Sequence, residues 1–267
     1  MFKYNTRQKD FDLKTMNRDS PKNAPASCAI AEGDIHVWRL NLIPEGHAGH
    51  ALEGFLSEDE RCRAARFHSA TDRRRFLMRR GACRQILARY LEVHPHALHL
   101  APGPHGKPEI QDQSAAGPLH FNWSQSADRG LLVVAPGCRV GVDMEHHRPL
   151  PEAMPLARAF FSPAEVAALE RLPEAVQQAA FFDCWTRKEA FVKALGAGLS
   201  FPLNRFTVSV GPEEPARLVE VDGNPAEADR WSMMSLDLGG DWSASLVSEG
   251  PWAQVFFYDW QASTSLA

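Results

Sequence analysis

Asp143 and Glu145 stand in the run Gly141-Val142-Asp143-Met144-Glu145. Its apolar and branched residues read as a short strand, and a strand's period of two puts both carboxylates on one face. Two acids side by side repel unless a proton or a cation lies between them. Oxygen ligands with room for water suit Mg2+ or Mn2+; a pair of solvated strand acids is the plainer alternative. Further on, Trp185-Thr186-Arg187-Lys188-Glu189-Ala190-Phe191-Val192-Lys193-Ala194 reads as a helix that is apolar over much of its circumference. Glu189 and Lys193 are four residues apart and share a face. A largely buried helix that keeps such groups must supply partners for them. Glu189 is therefore a candidate third metal ligand and Lys193 a candidate phosphate contact, against the weaker reading of a surface ion pair.

The third cluster is basic. Nine arginines and one acid, Asp72, fall between Arg61 and Arg84. That stretch carries +8, so a chain at −4 overall holds −12 elsewhere. Arginine favours bidentate contact with phosphate. A local basic patch on an acidic chain suits a phosphate-rich ligand or an acidic partner; it does not suit nucleic acid, whose binders are basic over whole domains. The five cysteines form no CxxC pair, which argues against a zinc site or disulfide framework and fits a reducing cytoplasm. No apolar run approaches the ~18–20 residues of a membrane helix. The histidines show no HxxxH or HExxH spacing, and no GxGxxG or P-loop element is present.

Local signals place these clusters on elements. Residues 1–32 are polar and aperiodic and are expected to be a loose extension. Ser57-Glu58-Asp59-Glu60 and Ser162-Pro163-Ala164-Glu165 are capping boxes, so both serines open helices and neither is a nucleophile. Longer helices are expected at about 72–91 and 175–195, the second stopped by Gly196 and Gly198. Strands are expected near 34–42, 119–122, 131–135 and 139–145, with more between 205 and 260 that the sequence does not pair.

An internal repeat links these elements. Phe55-Leu56-Ser57-x-x-Glu60 recurs as Phe160-Phe161-Ser162-x-x-Glu165, at an offset of 105. The same offset carries Ile35-x-Val37 onto Val140-x-Val142, and Phe76-Leu77 onto Phe181-Phe182. The chain is thus expected to be two similar α+β halves, 33–136 and 137–260, with a tail at 261–267. On this register Trp38 and Leu40 become Asp143 and Glu145, and Arg84 becomes Glu189.

Gly-Val-Asp-Met-Glu followed by Trp-x-x-Lys-Glu-Ala-x-x-Lys-Ala resembles the signature of the Sfp-type 4′-phosphopantetheinyl transferases. Gly106-Lys107-Pro108, Phe121-Asn122-Trp123-Ser124, Phe160-Phe161-Ser162 and Gly196-x-Gly198-Leu199 extend the resemblance over residues 34–210. It implies an α+β pseudo-dimer of two similar halves with the active site between them. It implies an enzyme that moves the phosphopantetheine arm of coenzyme A onto a serine of an apo acyl or peptidyl carrier protein, releasing adenosine 3′,5′-bisphosphate. On the family pattern Asp143, Glu145 and Glu189 hold Mg2+. Glu189, or a water on the metal, is also the candidate base, and Lys193 assists the departing phosphate with Lys188 close by. Arg63, Arg75, Lys107, Pro108, Ser124 and Gln125 contact coenzyme A. A cytoplasmic monomer without nucleic-acid or membrane partners is the implied setting.

One position departs from the pattern. Ser124-Gln125-Ser126 stands where the family usually reads Ser-His-Ser. Gln125 donates a hydrogen bond but cannot become cationic, so weaker coenzyme A binding or help from a nearby arginine is expected. Two rival functions use the same residues: a metal-dependent phosphodiesterase or nuclease, and a carrier-binding protein without catalysis.

Overall fold

The computed structural model describes residues 22–23, 28–42, 52–103, 105–112, 117–211 and 214–261. The first half runs β1 (Lys22–Asn23), β2 (Asp34–Asn41), α1 (Glu58–Ala65), α2 (Ala70–Leu91), β3 (Leu100–Pro102), β4 (Pro108–Ile110), β5 (Leu119–Ser126) and β6 (Arg129–Pro136). The second runs β7 (Val140–His146), α3 (Ala153–Phe160), α4 (Pro163–Glu170), α5 (Glu174–Leu195), β8 (Phe206–Val208), β9 (Leu218–Val221), α6 (Pro225–Ala228), β10 (Trp231–Ser235), β11 (Trp242–Glu249) and β12 (Gln254–Trp260). The expected capping boxes are formed. Ser57 Oγ accepts from the Glu60 amide while the Glu60 carboxylate accepts from the Ser57 amide, and Ser162 and Glu165 repeat the exchange with Pro163 in the first turn. α5 ends at Gly196, whose φ of 70° is the left-handed cap that glycine adopts without strain.

The two halves share one topology. β2, β6 and β5 are neighbours in that order, as are β7, β11 and β10, with every one of these pairings antiparallel. The β3–β4 hairpin has its counterpart in β8–β9. The sheets meet face to face: Ile35, Val37, Leu131 and Val133 of the first pack on Val140, Val142, Met144 and Leu246 of the second. α2 covers the outer face of the first sheet, where Trp38, Leu40, Met78 and Ile86 are buried together. α5 covers the second through Phe181, Phe191, Trp231 and Val247. The result is four layers, helix–sheet–sheet–helix.

Three expectations need correction. β12 does not stay in the second half. It pairs parallel with β2, from Gln254↔Asp34 to Trp260↔Leu40, so the boundary at 260 assigns it to the wrong sheet. The extension at 1–32 is not loose throughout. β1 adds to β12, and Cys28 and Ile30 are buried in the first core, with the Cys28 amide bonded to the Arg89 carbonyl. Residues 1–21 and 262–267 lie outside the described residues. Finally, the register of the long helices is 104, because α2 and α5 begin at 70 and 174 and end at 91 and 195. Arg84 therefore corresponds to Lys188, and Glu189 corresponds to Gln85. An inserted residue between the capped helix and the long helix of the first half is enough to change which side chains match.

Candidate active site

β5 of the first sheet runs beside β7 of the second, and alternate side chains of β5 bridge them. Asn122 Oδ1 accepts from the Val142 amide at 2.9 Å. Ser124 Oγ donates to Asp143 Oδ1 at 2.7 Å, and Ser126 Oγ donates to Glu145 Oε2 at 2.8 Å while accepting from the His146 amide at 3.1 Å. The period of two that put Asp143 and Glu145 on one face also lines up positions 122, 124 and 126 to meet them. The opposite face of β7 carries Val142 and Met144 into the core between the sheets, as expected.

Gly141 sets the distance between β7 and α5. A Cβ there would be driven into the Ala190 carbonyl and the Ala194 amide, with the Ala194 Cα at 3.0 Å. Only glycine lets strand and helix backbones touch. That approach brings Lys193 Nζ to 2.6 Å from Asp143 Oδ1 and 3.1 Å from Ser124 Oγ. Asp143 Oδ2 is buried with no partner among the described residues. Burial raises the Asp143 carboxyl above the ordinary aspartate range, against the pull of Lys193 and Ser124. Glu189 is raised as well, first by burial and then by the negative charge of Asp143, with a further push from Glu145. Three acids thus influence one another across β7 and α5. Among the described residues no three His, Cys, Asp or Glu side chains are drawn into a ready-made metal cage. The donor set nevertheless fits a hard divalent cation. Such an ion keeps several waters and takes only one or two carboxylates plus substrate phosphates, and the orphaned Asp143 oxygen is an acceptor that none of the described residues satisfies.

The basic side of the site belongs to the first half. Arg63 lies 5.7 Å over the Phe76 ring, and Arg75 pairs with Asp128 at 3.2 Å. Arg79 stacks 4.2 Å over Trp123 and shares a small cavity with Trp123, Gln125 and Leu131. Burial, with Arg80 adding to it, pulls the Arg79 guanidinium down to about 10. Gln125 Oε1 is buried there with no partner among the described residues. The side chain points to the α2 side of β5, opposite to the Ser124 and Ser126 hydroxyls.

Two sequence models cover most of the chain. The 4′-phosphopantetheinyl transferase superfamily model matches residues 139–247, and the model for the 4′-phosphopantetheinyl transferase N-terminal region matches residues 44–137. The 4′-phosphopantetheinyl transferase HetI of Nostoc sp. is 35% identical over 212 residues, which are 79% of this chain and 86% of that protein. The chain belongs to the 4′-phosphopantetheinyl transferase family. Other relatives include the 4′-phosphopantetheinyl transferase psf-1 of Bacillus pumilus, 33% identical over 62% of this chain and 69% of that protein. The 4′-phosphopantetheinyl transferase Sfp of Bacillus subtilis is 30% identical over 58% and 66%.

Within this transferase chain, two lysines expected at coenzyme A have their ammonium groups engaged by the protein itself. Lys188 is fully buried on the far side of α5. Its Nζ donates to both Glu165 oxygens at 2.6 and 2.7 Å and to the Phe206 carbonyl at 2.8 Å. Adjacent helical residues point about 100° apart, so Lys188 faces the capping box when Glu189 faces β7. Lys188 is structural: its ammonium faces Glu165 and the Phe206 carbonyl, away from the coenzyme A contact expected of it. Lys107 also has its ammonium engaged: it donates to the Lys193 carbonyl at 2.7 Å and the Val140 carbonyl at 3.0 Å. Pro108 follows it as the first residue of β4, paired with Pro102. Asn122, Ser126 and Gly141 were missed as site residues. The signal for the first two was present as polar side chains alternating with Leu119, Phe121 and Trp123 along the strand.

Proposed function

We propose that this chain transfers the 4′-phosphopantetheine arm of coenzyme A to a serine of an apo carrier protein in a Mg2+-dependent reaction. The observation that carries the proposal is the buried Asp143–Ser124 pair, met by the half-buried Lys193, with one carboxylate oxygen that no described residue satisfies. Asp143, Glu145 and Glu189 would hold the cation, which when bound neutralises charge on the coenzyme A diphosphate. Glu189 has a carboxyl raised toward the working range of a general base. It takes the proton of the serine hydroxyl as that oxygen bonds to the β-phosphorus. The phosphoanhydride bond breaks, and adenosine 3′,5′-bisphosphate leaves with the bonding electrons. Lys193 follows the developing charge on the departing phosphate, releasing Asp143 as it does so. Arg63, Arg75 and Arg79 bind the remaining phosphates. Exposed Arg66 and Arg74 favour approach of an acidic carrier.

Intact-mass measurement on an apo carrier protein with coenzyme A and Mg2+ tests this. One phosphopantetheine is gained with the wild type, and transfer by Glu189→Gln is slower by at least about 100-fold. An unchanged carrier mass with the wild type, or nucleic-acid cleavage in its place, contradicts the proposal.

A further inference from the structure

Lys107 sits in a turn of the first half, where the Gly103 amide bonds the Lys107 carbonyl at 2.7 Å and the Gly106 amide bonds the Gly103 carbonyl at 2.9 Å. From there its side chain crosses to the second half. An ammonium has three donors, and two of them go to backbone carbonyls of two different elements. The Lys193 carbonyl belongs to the last turn of α5, where carbonyls lack intrahelical partners and a cation is favoured by the helix dipole. It also accepts from the Gly196 amide at 3.2 Å. The Val140 carbonyl opens β7, three residues before Asp143. The same finger of chain packs on the glycines that end α5. A Cβ on Gly196 would lie 3.7 Å from the Lys107 stem, and one on Gly198 would lie 3.6 Å from His105. The first half thus grips both segments whose side chains form the Asp143–Lys193 pair.

We infer that Lys107 is a positioning residue of the transfer reaction, clamping the end of α5 to the start of β7 so that Lys193 and Asp143 stay in register. The inference rests on the transferase reading for its catalytic consequence but not for the clamp itself. The coenzyme A contact expected from the family resemblance makes the opposite kinetic prediction.

Lys107→Met keeps the stem and removes the donors; Lys107→Arg keeps a cationic donor. With saturating coenzyme A, Lys107→Met should lower kcat about tenfold or more while KM for coenzyme A stays within about twofold, and Lys107→Arg should recover much of the loss. Hydrogen exchange on the ligand-free proteins should show faster exchange at the amides of residues 193–196 in Lys107→Met, with the Lys107→Arg protein close to wild type. A rise in KM for coenzyme A with kcat unchanged, or unaltered exchange at the end of α5, overturns the inference. Should Lys107→Met fail to fold, Lys107→Gln is measured in the same two ways. Should the wild type show no transfer, the transferase reading fails while the exchange result still decides the clamp.

Discussion

The two halves use one scaffold and fill the same positions with opposite chemistry. In the first, His36 and Trp38 point from β2 toward α2. The Trp38 indole donates to the Tyr90 hydroxyl at 2.7 Å, and that hydroxyl also shares a hydrogen bond of 2.8 Å with His36 Nδ1. Arg89 lies 5.6 Å over the Trp38 ring. In the second, the matching positions are Gly141 and Asp143 on the strand, with Ala194 and Lys193 on the helix. Aromatic packing against a cation is replaced by an ion pair, and a histidine–tyrosine contact by a glycine–alanine contact that lets the backbones touch. The second half gives up side-chain packing under its helix and gains a buried acid with a free oxygen. Duplicate folds diverge here by residue size on the strand as much as by charge.

The capping boxes show the same divergence in their partners. Glu60 is bonded by Arg84, with Arg80 a second cation at 3.7 Å, and it keeps some exposure. Glu165 has Lys188 as its buried cation, and neither side chain reaches solvent. Removing one member of a buried pair costs about 3–5 kcal/mol because a charge is left unpaired. Lys188→Met should therefore lower the unfolding midpoint by about 10 °C in a chain of this size. Arg84→Met should lower it by less than half as much, since Arg80 remains at Glu60. Equal losses in thermal unfolding would break the comparison.

The strand position provides the next test. Gly141→Ala puts a methyl group into the α5 backbone, and overpacking of that kind costs about 3 kcal/mol when the backbone must move. Urea denaturation should show that loss, and transfer should fall with it as Lys193 leaves Asp143. Wild-type stability and rate in Gly141→Ala would mean that α5 is not held this close.

His36 gives a smaller, pH-dependent effect. Burial pulls it down from 6.5 to about 4. Below pH 6.5 the unfolded chain takes up a proton that the folded chain refuses until about pH 4. Stability from this group thus falls as pH drops through that window, by about 2–3 kcal/mol. His36→Gln, which keeps a hydrogen-bond partner for Tyr90, should flatten the difference in urea midpoint between pH 6.5 and 4. An identical slope in both proteins would place His36 outside the titration.

Much of this was legible in the residues. The capping boxes fix two helix starts by local hydrogen bonding alone, and the period of two put Asp143 and Glu145 together. The repeat was legible where it is carried by strands and caps. It slipped by one residue in the helices, because Phe181 and Phe182 both suit a buried face and identity alone does not choose between them. The direction of Lys188 is hidden for a related reason: neighbours in a helical motif share a signature but not a direction. β12 could not be placed because joining β2 is a choice of sheet edge made by tertiary packing. Lys107 keeps its motif, yet its partners are backbone carbonyls that no sequence pattern marks.

The central claim is that the second half's acids form a cation site completed by the diphosphate. Calorimetric titration of Mg2+ into the protein with saturating coenzyme A tests it most directly. The account predicts one bound ion for the wild type and at least about tenfold weaker binding for Asp143→Asn. Equal affinity in the two proteins would contradict it.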